Sequence, residues 1–239
     1  MDRELSFDGV SSAQLGLIID GYFSRGAATR RVSKRQIPGR SGDFLIDEHA
    51  YDNLSESYSV YWLAASTPQE NDALFRSIVN WLKQGNYYRL EDSEYPDCFW
   101  MARTEGLTQK DVTNYRDCYF GTTLTFDRKP QCYFKSGETP ISLSSGSVLI
   151  NQTVEIAEPI ITFTLASSGT LTINGKNNEF SDFTGNVTID CENELCYSGV
   201  TNLASHMTGS FPKLQPGENT IAFTSGITNL QIKPRWWTR

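Results

Sequence analysis

One stretch of this 239-residue chain carries a helical signature, and the regular segments on either side of it are patterned as strand. In Thr67-Pro68-Gln69-Glu70 the Thr67 hydroxyl is placed to accept from the third residue of a helix. Pro68 suits the first helical position, where its missing N–H leaves nothing unpaired, and Glu70 can reach back to the cap. Leu74, Ile78 and Leu82 then recur every four residues, flanked by Phe75, Val79 and Trp81, which gives an apolar stripe on one face. Gly85 is the expected C-terminal cap. The helix so defined has about 16 residues and a length of about 24 Å. A lone amphipathic helix must bury its stripe against something, and the neighbouring strands supply a sheet.

Ser57 to Ala65 alternates, with Tyr58, Val60, Trp62 and Ala64 on one side, as period two requires of a half-buried strand. Leu15 to Ile19, Tyr87 to Leu90, Cys98 to Thr104 and Asp117 to Phe126 are further expected strands. The last of these is expected to end at Pro130, which cannot donate to a central ladder. An α+β domain with one helix packed on a sheet or split barrel follows for residues 1–135.

Composition changes near residue 135. Residues 1–135 hold 16 Lys and Arg with 19 Asp and Glu, whereas residues 136–239 hold 5 and 9 and are rich in Thr, Ser, Gly and Asn. Phe134 to Pro140 has linker composition. Beyond it, short strands are expected at Ser147–Ile150, Ile160–Leu165, Thr170–Ile173, Asn186–Asp190, Thr220–Phe223 and Leu230–Lys233. Turn signals such as Asn174-Gly175, Ser198-Gly199 and Pro216-Gly217 separate them. Residues 136–239 therefore read as an all-β sandwich.

The formal net charge of −7 argues against the whole chain being a nucleic-acid binder. The N-terminus has no apolar signal segment, and no stretch approaches the roughly 18 apolar residues of a membrane span. The chain is expected to fold in a cytoplasm and to leave the cell only as part of something larger. Its five cysteines, an odd number without a Cys-x-x-Cys pair, are expected as reduced thiols; Cys191 and Cys196 could pair if strands brought them together.

Catalytic sets are absent from the pattern. The two histidines, His49 and His206, lie in Asp47-Glu48-His49 and Ser205-His206-Met207, and no Gly-x-Ser-x-Gly elbow accompanies them. Asp190, Glu192, Glu194 and Cys196 alternate in a way that suits Ca²⁺, but without the central glycine and terminal ligand of a calcium loop they read as a solvated acidic turn. No enzyme activity, metal or cofactor is expected.

Taken in order, several pieces resemble the distal tail proteins of long-tailed siphophages. In the first domain these are Phe7-Asp8-Gly9, Leu15-Gly16-Leu17, the loop Gly39 to Asp43, the strand-to-helix passage ending Trp81-Leu82, and Phe126-Asp127-Arg128-Lys129-Pro130. In the second they are Pro159-Ile160-Ile161, Ile173-Asn174-Gly175, Val187 to Asp190, Ile232 to Arg235, and the most specific run, Phe211-Pro212-Lys213-Leu214-Gln215-Pro216-Gly217-Glu218-Asn219. The resemblance implies a galectin-like C-terminal sandwich, no catalysis, and residence in the virion after assembly in the host cytoplasm. It also implies a homohexameric ring between the tail tube protein and the tail-tip, hub or receptor-binding proteins, with a channel passing DNA without sequence recognition. A carbohydrate-binding adhesin module recognising host cell-surface sugars is the alternative. It leaves the first domain without a purpose.

Between Asp20 and Asp43 there is no acid, and Arg25, Arg30, Arg31, Lys34, Arg35 and Arg40 fall in that span. They are either solvated strand and loop residues or a contact surface toward a neighbouring subunit or partner ring, for which arginine's planar fork suits carboxylates. On the second reading, reversing Arg30 and Arg31 to Glu is expected to weaken ring assembly. Consecutive aromatics at Tyr87-Tyr88, Phe99-Trp100 and Trp236-Trp237 point to opposite faces of a strand, so one of each pair is expected in a core. Trp236 and Trp237 are candidates for docking or sugar stacking.

Overall fold

The structure is a computed structural model and describes residues 3–20, 26–63, 67–82, 85–107 and 119–239. The chain divides into two compact units, Met1–Cys132 together with Arg239, and Tyr133–Thr238. Among the described residues no helix is long and apolar enough to cross a membrane.

In the first unit the strands are β1 (Leu5–Phe7), β2 (Val10–Ser11), β3 (Ile18–Ile19), β4 (Arg30–Gln36), β5 (Asp43–Tyr51), β6 (Leu54–Leu63), β7 (Tyr88–Asp92), β8 (Cys98–Leu107) and β9 (Tyr119–Phe134). The main sheet runs β2-β1-β7-β8-β9-β6-β3, while β4 and β5 form a separate two-stranded ribbon. Helix α1 (Pro68–Trp81) lies on the main sheet. Thr67 accepts from the Glu70 N–H at 3.3 Å, and the Glu70 carboxylate accepts from the Thr67 N–H at 3.1 Å, which completes the capping box. The helix has 14 residues and closes at Leu82, earlier than Gly85. Its buried stripe of Ile78, Trp81 and Leu82 joins Phe7, Tyr58, Val60, Trp62, Leu124 and Phe126 in one core. The Trp81 indole N–H donates to the Phe7 and Val10 carbonyls at 3.2 Å, so the largest helix side chain is satisfied as well as buried.

Two expectations change, and a third falls outside the described residues. Leu15 to Ile19 is not one strand: Ser12–Leu15 is a 3-10 turn capped by the Ser11 hydroxyl. Gly16, at φ 66°, reverses the chain so that only Ile18–Ile19 pairs with β6. Strand β9 does not stop at Pro130 but runs on to Phe134. Its register with β6 ends at Arg128, two residues before Pro130. Ala64, placed by alternation on the same side as Tyr58, Val60 and Trp62, lies outside the described residues. The Phe126–Pro130 segment earns its residues structurally: Asp127 accepts from Arg103 at 2.7 Å and from the Tyr87 hydroxyl at 3.1 Å. Arg128, almost fully buried, pairs with the equally buried Glu56 at 2.7 Å.

The cysteine expectation is also corrected. Cys98 and Cys132 form a disulfide. They are 34 residues apart in sequence, but β8 and β9 are neighbours, and the Cα atoms stand 6.0 Å apart, within bridging range. Cys191 and Cys196 are free and buried. The β15–β16 register opposes Cys196 to Ile189 rather than to Cys191. Burial pushes the Cys196 thiol up to about 11 and the Cys191 thiol further, so neither is a ready nucleophile.

The second unit is built from β10 (Ile141–Ser142), β11 (Ser147–Asn151), β12 (Ile160–Leu165), β13 (Gly169–Ile173), β14 (Lys176–Phe180), β15 (Gly185–Asp190), β16 (Leu195–Ser198), β17 (Thr201–Asn202), β18 (Met207–Thr208), β19 (Gly217–Phe223) and β20 (Ile227–Lys233). A six-stranded sheet, β10-β20-β12-β15-β16-β17, faces a five-stranded sheet, β11-β19-β13-β14-β18. Inward residues of both, among them Ile161, Phe163, Val187 and Ile189 against Leu171, Ile173, Phe180 and Ile221, make a single core. This is a two-layer sandwich. The stretch with linker composition contains a 3-10 turn, Lys135–Glu138, in which Gly137 is buried against the Trp236 backbone with no room for a Cβ.

Candidate functional site

Five of the six cationic positions singled out in the sequence fall on one element. Arg25 lies outside the described residues, and the other five belong to the β4–β5 ribbon and its turn. Nearly every residue of both strands is exposed. The cations divide into two groups. The Arg30 guanidinium grips Asp47 through two nitrogens at 2.6 and 2.9 Å and donates to the Tyr51 hydroxyl at 2.9 Å. Arg31 pairs with Asp52 at 2.9 Å. The Arg30 contact holds the Asp47 carboxyl down at about 2. Both arginines therefore act inside the ribbon, and replacing them with Glu would break it as well as any interface. Lys34, Arg35 and Arg40 have no ion-pair partner among the described residues.

The ribbon is also apolar where water should be. Phe44, Leu45 and Ile46 are 45%, 58% and 38% exposed, and Val32 and Ile37 are exposed too. The register places Lys34 opposite Leu45 and Arg35 opposite Phe44, so each face of the ribbon carries an apolar side chain beside an uncommitted cation. At His49, φ 55° accompanies a bulge in the pairing, and the Asp47 carboxylate accepts the His49 N–H at 2.8 Å. That histidine thus marks a bend. His206 in the second unit contacts the Ser181 carbonyl.

The acidic turn of the second unit is tied down by a cation. Arg235 reaches Asp190 at 2.9 Å and Glu192 at 3.3 Å, and Asn193 donates to Asp190. Burial would raise the Asp190 carboxyl, but the Asn193 and Arg235 contacts prevail and hold it below the ordinary range. Among the described residues no group of His, Cys, Asp and Glu is arranged to hold a metal ion. Trp236 and Trp237 are half-buried against the sandwich core, and the Trp237 indole N–H donates to the Ile156 carbonyl at 2.9 Å. Phe99 and Trp100 are both buried, against the expectation of one. The Arg89 guanidinium covers the Phe99 ring at 3.8 Å and that of Arg128 lies 5.0 Å from the Trp100 ring, so both faces of the strand are sheltered.

The run Phe211 to Asn219 has a structural logic of its own. Asn219 is fully buried. Its carbonyl accepts from the Gln215 N–H and the Asn174 amide at 2.7 Å, and its amide donates to the Gln215 and Gly217 carbonyls. Leu214, also fully buried, exchanges backbone hydrogen bonds with Ala157. One side chain thus fixes the loop, and the β13–β14 turn is bound to it.

No family model and no curated protein sequence matches the chain. Among solved structures it is similar to the SPP1 Dit protein, described as a paradigm of the hub adsorption apparatus in phages infecting Gram-positive bacteria. The TM-score is 0.74 at 13% identity, covering 97% of this chain and 98% of that one. It is also similar to a chain of the phage P2 baseplate in its activated conformation with Ca, with a TM-score of 0.57 at 12% identity over 97% of both chains. For the same baseplate with Sr the TM-score is 0.57 at 10% identity, over 97% of this chain and 96% of that one. Identities this low carry the architecture and not the chemistry: what this chain shares with the SPP1 Dit protein and the baseplate chain is the fold.

Proposed function

We propose that the chain is a structural protein of a phage tail tip. Six copies close into a ring that joins the tail tube protein to the tip, hub or receptor-binding proteins, and DNA passes through the ring's channel without sequence recognition. The subunits assemble in the host cytoplasm and remain in the virion. The β4–β5 ribbon carries this reading. A two-stranded ribbon is marginal in water by itself, and this one displays Phe44, Leu45 and Lys34 or Arg35 on both faces. A neighbouring subunit of a chain with 28 acidic and 21 basic residues offers carboxylates for the free cations and a surface to cover the apolar side chains. Hub and baseplate relatives in fold support a second copy as the neighbour.

Light scattering across a concentration series tests the ring: a mass near six times 26.9 kDa is expected. Phe44→Asp with Leu45→Asp leaves the Arg30 and Arg31 pairs in place and is expected to shift the mass toward the monomer. A native chain that stays monomeric at every concentration, or a hexamer indifferent to that double variant, overturns the assignment of the ribbon.

A further inference from the structure

The loop fixed by Asn219 fronts a cavity of about 570 Å³ on the sandwich unit, within the size range of ligand pockets. One wall is the β13–β14 turn, with Asn174, Lys176 and Asn178. The other is the segment that includes Ser210, Phe211, Lys213 and Gln215. Both walls are rigid for stated reasons. Asn174 and Gly175 take φ 51° and 76°, as a tight two-residue hairpin turn requires, and Asn174 is bonded to Asn219 and Thr220. Asn178 is 1% exposed and donates to the Ser210 carbonyl at 2.7 Å. Gly209, at φ 133°, passes so close that a Cβ there would meet the Asn178 amide at 2.6 Å.

The lining has a definite chemistry. Two ammonium groups border the cavity and no carboxylate does. Lys213 is already paired with Glu158 at 2.7 Å, whereas Lys176 has no ion-pair partner among the described residues. Side-chain amides of Asn and Gln can both donate to and accept from hydroxyls. Phe211 and Pro212 provide an apolar wall, and aromatic surface of this kind suits the C–H face of a sugar ring. The absence of acids disfavours a cation, the single uncommitted ammonium favours one negative charge, and the amides with the aromatic wall favour a polyhydroxylated ring over a bare anion.

We propose that this pocket binds an acidic saccharide, with Lys176 meeting the sugar carboxylate, the exposed Gln215 amide meeting a hydroxyl and Phe211 lying against the ring. The assignment does not depend on ring assembly. It gives the sandwich a ligand contact of its own.

The test is saturation-transfer NMR on the full chain with trigalacturonate, galactose and inorganic phosphate as separate probes. Trigalacturonate is expected to bind saturably at about millimolar concentration, with galactose weaker by about ten-fold and phosphate failing to displace it. Lys176→Ala, a change at an exposed position, is expected to weaken trigalacturonate about ten-fold and leave galactose unchanged. Phe211→Ala is expected to weaken both sugars. Absence of saturable binding overturns the proposal. So does equal binding of galactose, which removes the charge, or displacement by phosphate, which reduces the site to an anion pocket. An unaltered affinity in Lys176→Ala places any binding elsewhere and overturns it too.

Discussion

Removing the Cys98–Cys132 bridge by Cys98→Ala with Cys132→Ala should destabilise the first unit and leave the second unchanged. Both cysteines belong to the first unit, and the bridge closes a loop of 34 residues between β8 and β9. In the chain-entropy description, a cross-link over that separation removes enough freedom from the unfolded chain to be worth about 4 kcal/mol at 25 °C. For a unit of this size, a loss of about 4 kcal/mol lowers the midpoint by roughly 10–15 °C. Scanning calorimetry reads the two units as separate transitions, and free-thiol mass labelling of the native chain verifies the bridge beforehand. The native chain is expected to show the transition of the first unit moved down in the double variant and that of the second within about 2 °C of its original position. An unmoved first transition, with the bridge verified in the parent, refutes the reasoning. It would mean that the unfolded unit is already constrained, and that the sheet order rather than the bond holds β8 to β9.

Three further outcomes follow from individual side chains. Glu56→Ala removes a buried carboxylate that stands 2.7 Å from the Arg128 guanidinium, and chemical denaturation should show a loss of about 3–5 kcal/mol in the first unit. Asn219→Ala strands the Gln215 N–H and other groups of its loop; a loss of at least about 2 kcal/mol is expected in the second unit's transition. Asp47 titrates at about 2 in the folded chain against 3.8 for the ordinary group, so its contribution is complete above about pH 4 and disappears as pH falls through 2. Carboxyl-carbon NMR should find that midpoint, and Arg30→Ala should return it toward the ordinary value.

What was legible in the sequence was local. The Thr67 capping box, the Ile78 stripe and the Tyr58-Val60-Trp62 alternation all state their structure within a few residues, and each is found. The Asn174-Gly175 turn likewise announces the β13–β14 hairpin, although β14, reading Lys-Asn-Asn-Glu-Phe, has little strand character by itself. Features set by distant pairing were hidden. The disulfide depends on β8 lying beside β9, and the continuation of β9 past Pro130 has no mark in the local sequence. Burial on both faces at Phe99 and Trp100 depends on Arg89 and Arg128 arriving from other strands. The cationic segment was visible as a charge pattern, but its division into used and unused cations was not. Asp47 and Asp52, which neutralise Arg30 and Arg31, come from the far side of a hairpin.

That division bears on how a ring of such subunits would hold together. A ring needs two different complementary surfaces on each subunit. On the ribbon, the cations nearest its base are consumed in stabilising it, which a two-stranded element needs. Lys34, Arg35 and Arg40, further along, are left over beside Phe44, Leu45 and Ile46. Exposed charges at that end would act mainly on the rate and orientation of encounter, since salt screens them over about 8–10 Å. Covered apolar side chains would set how long the contact lasts. Neutralising the three cations should therefore slow assembly and flatten its salt dependence while leaving the finished ring intact. Charging Phe44 and Leu45 should dissolve it. A ribbon built only of solvated charge would give the opposite order of effects.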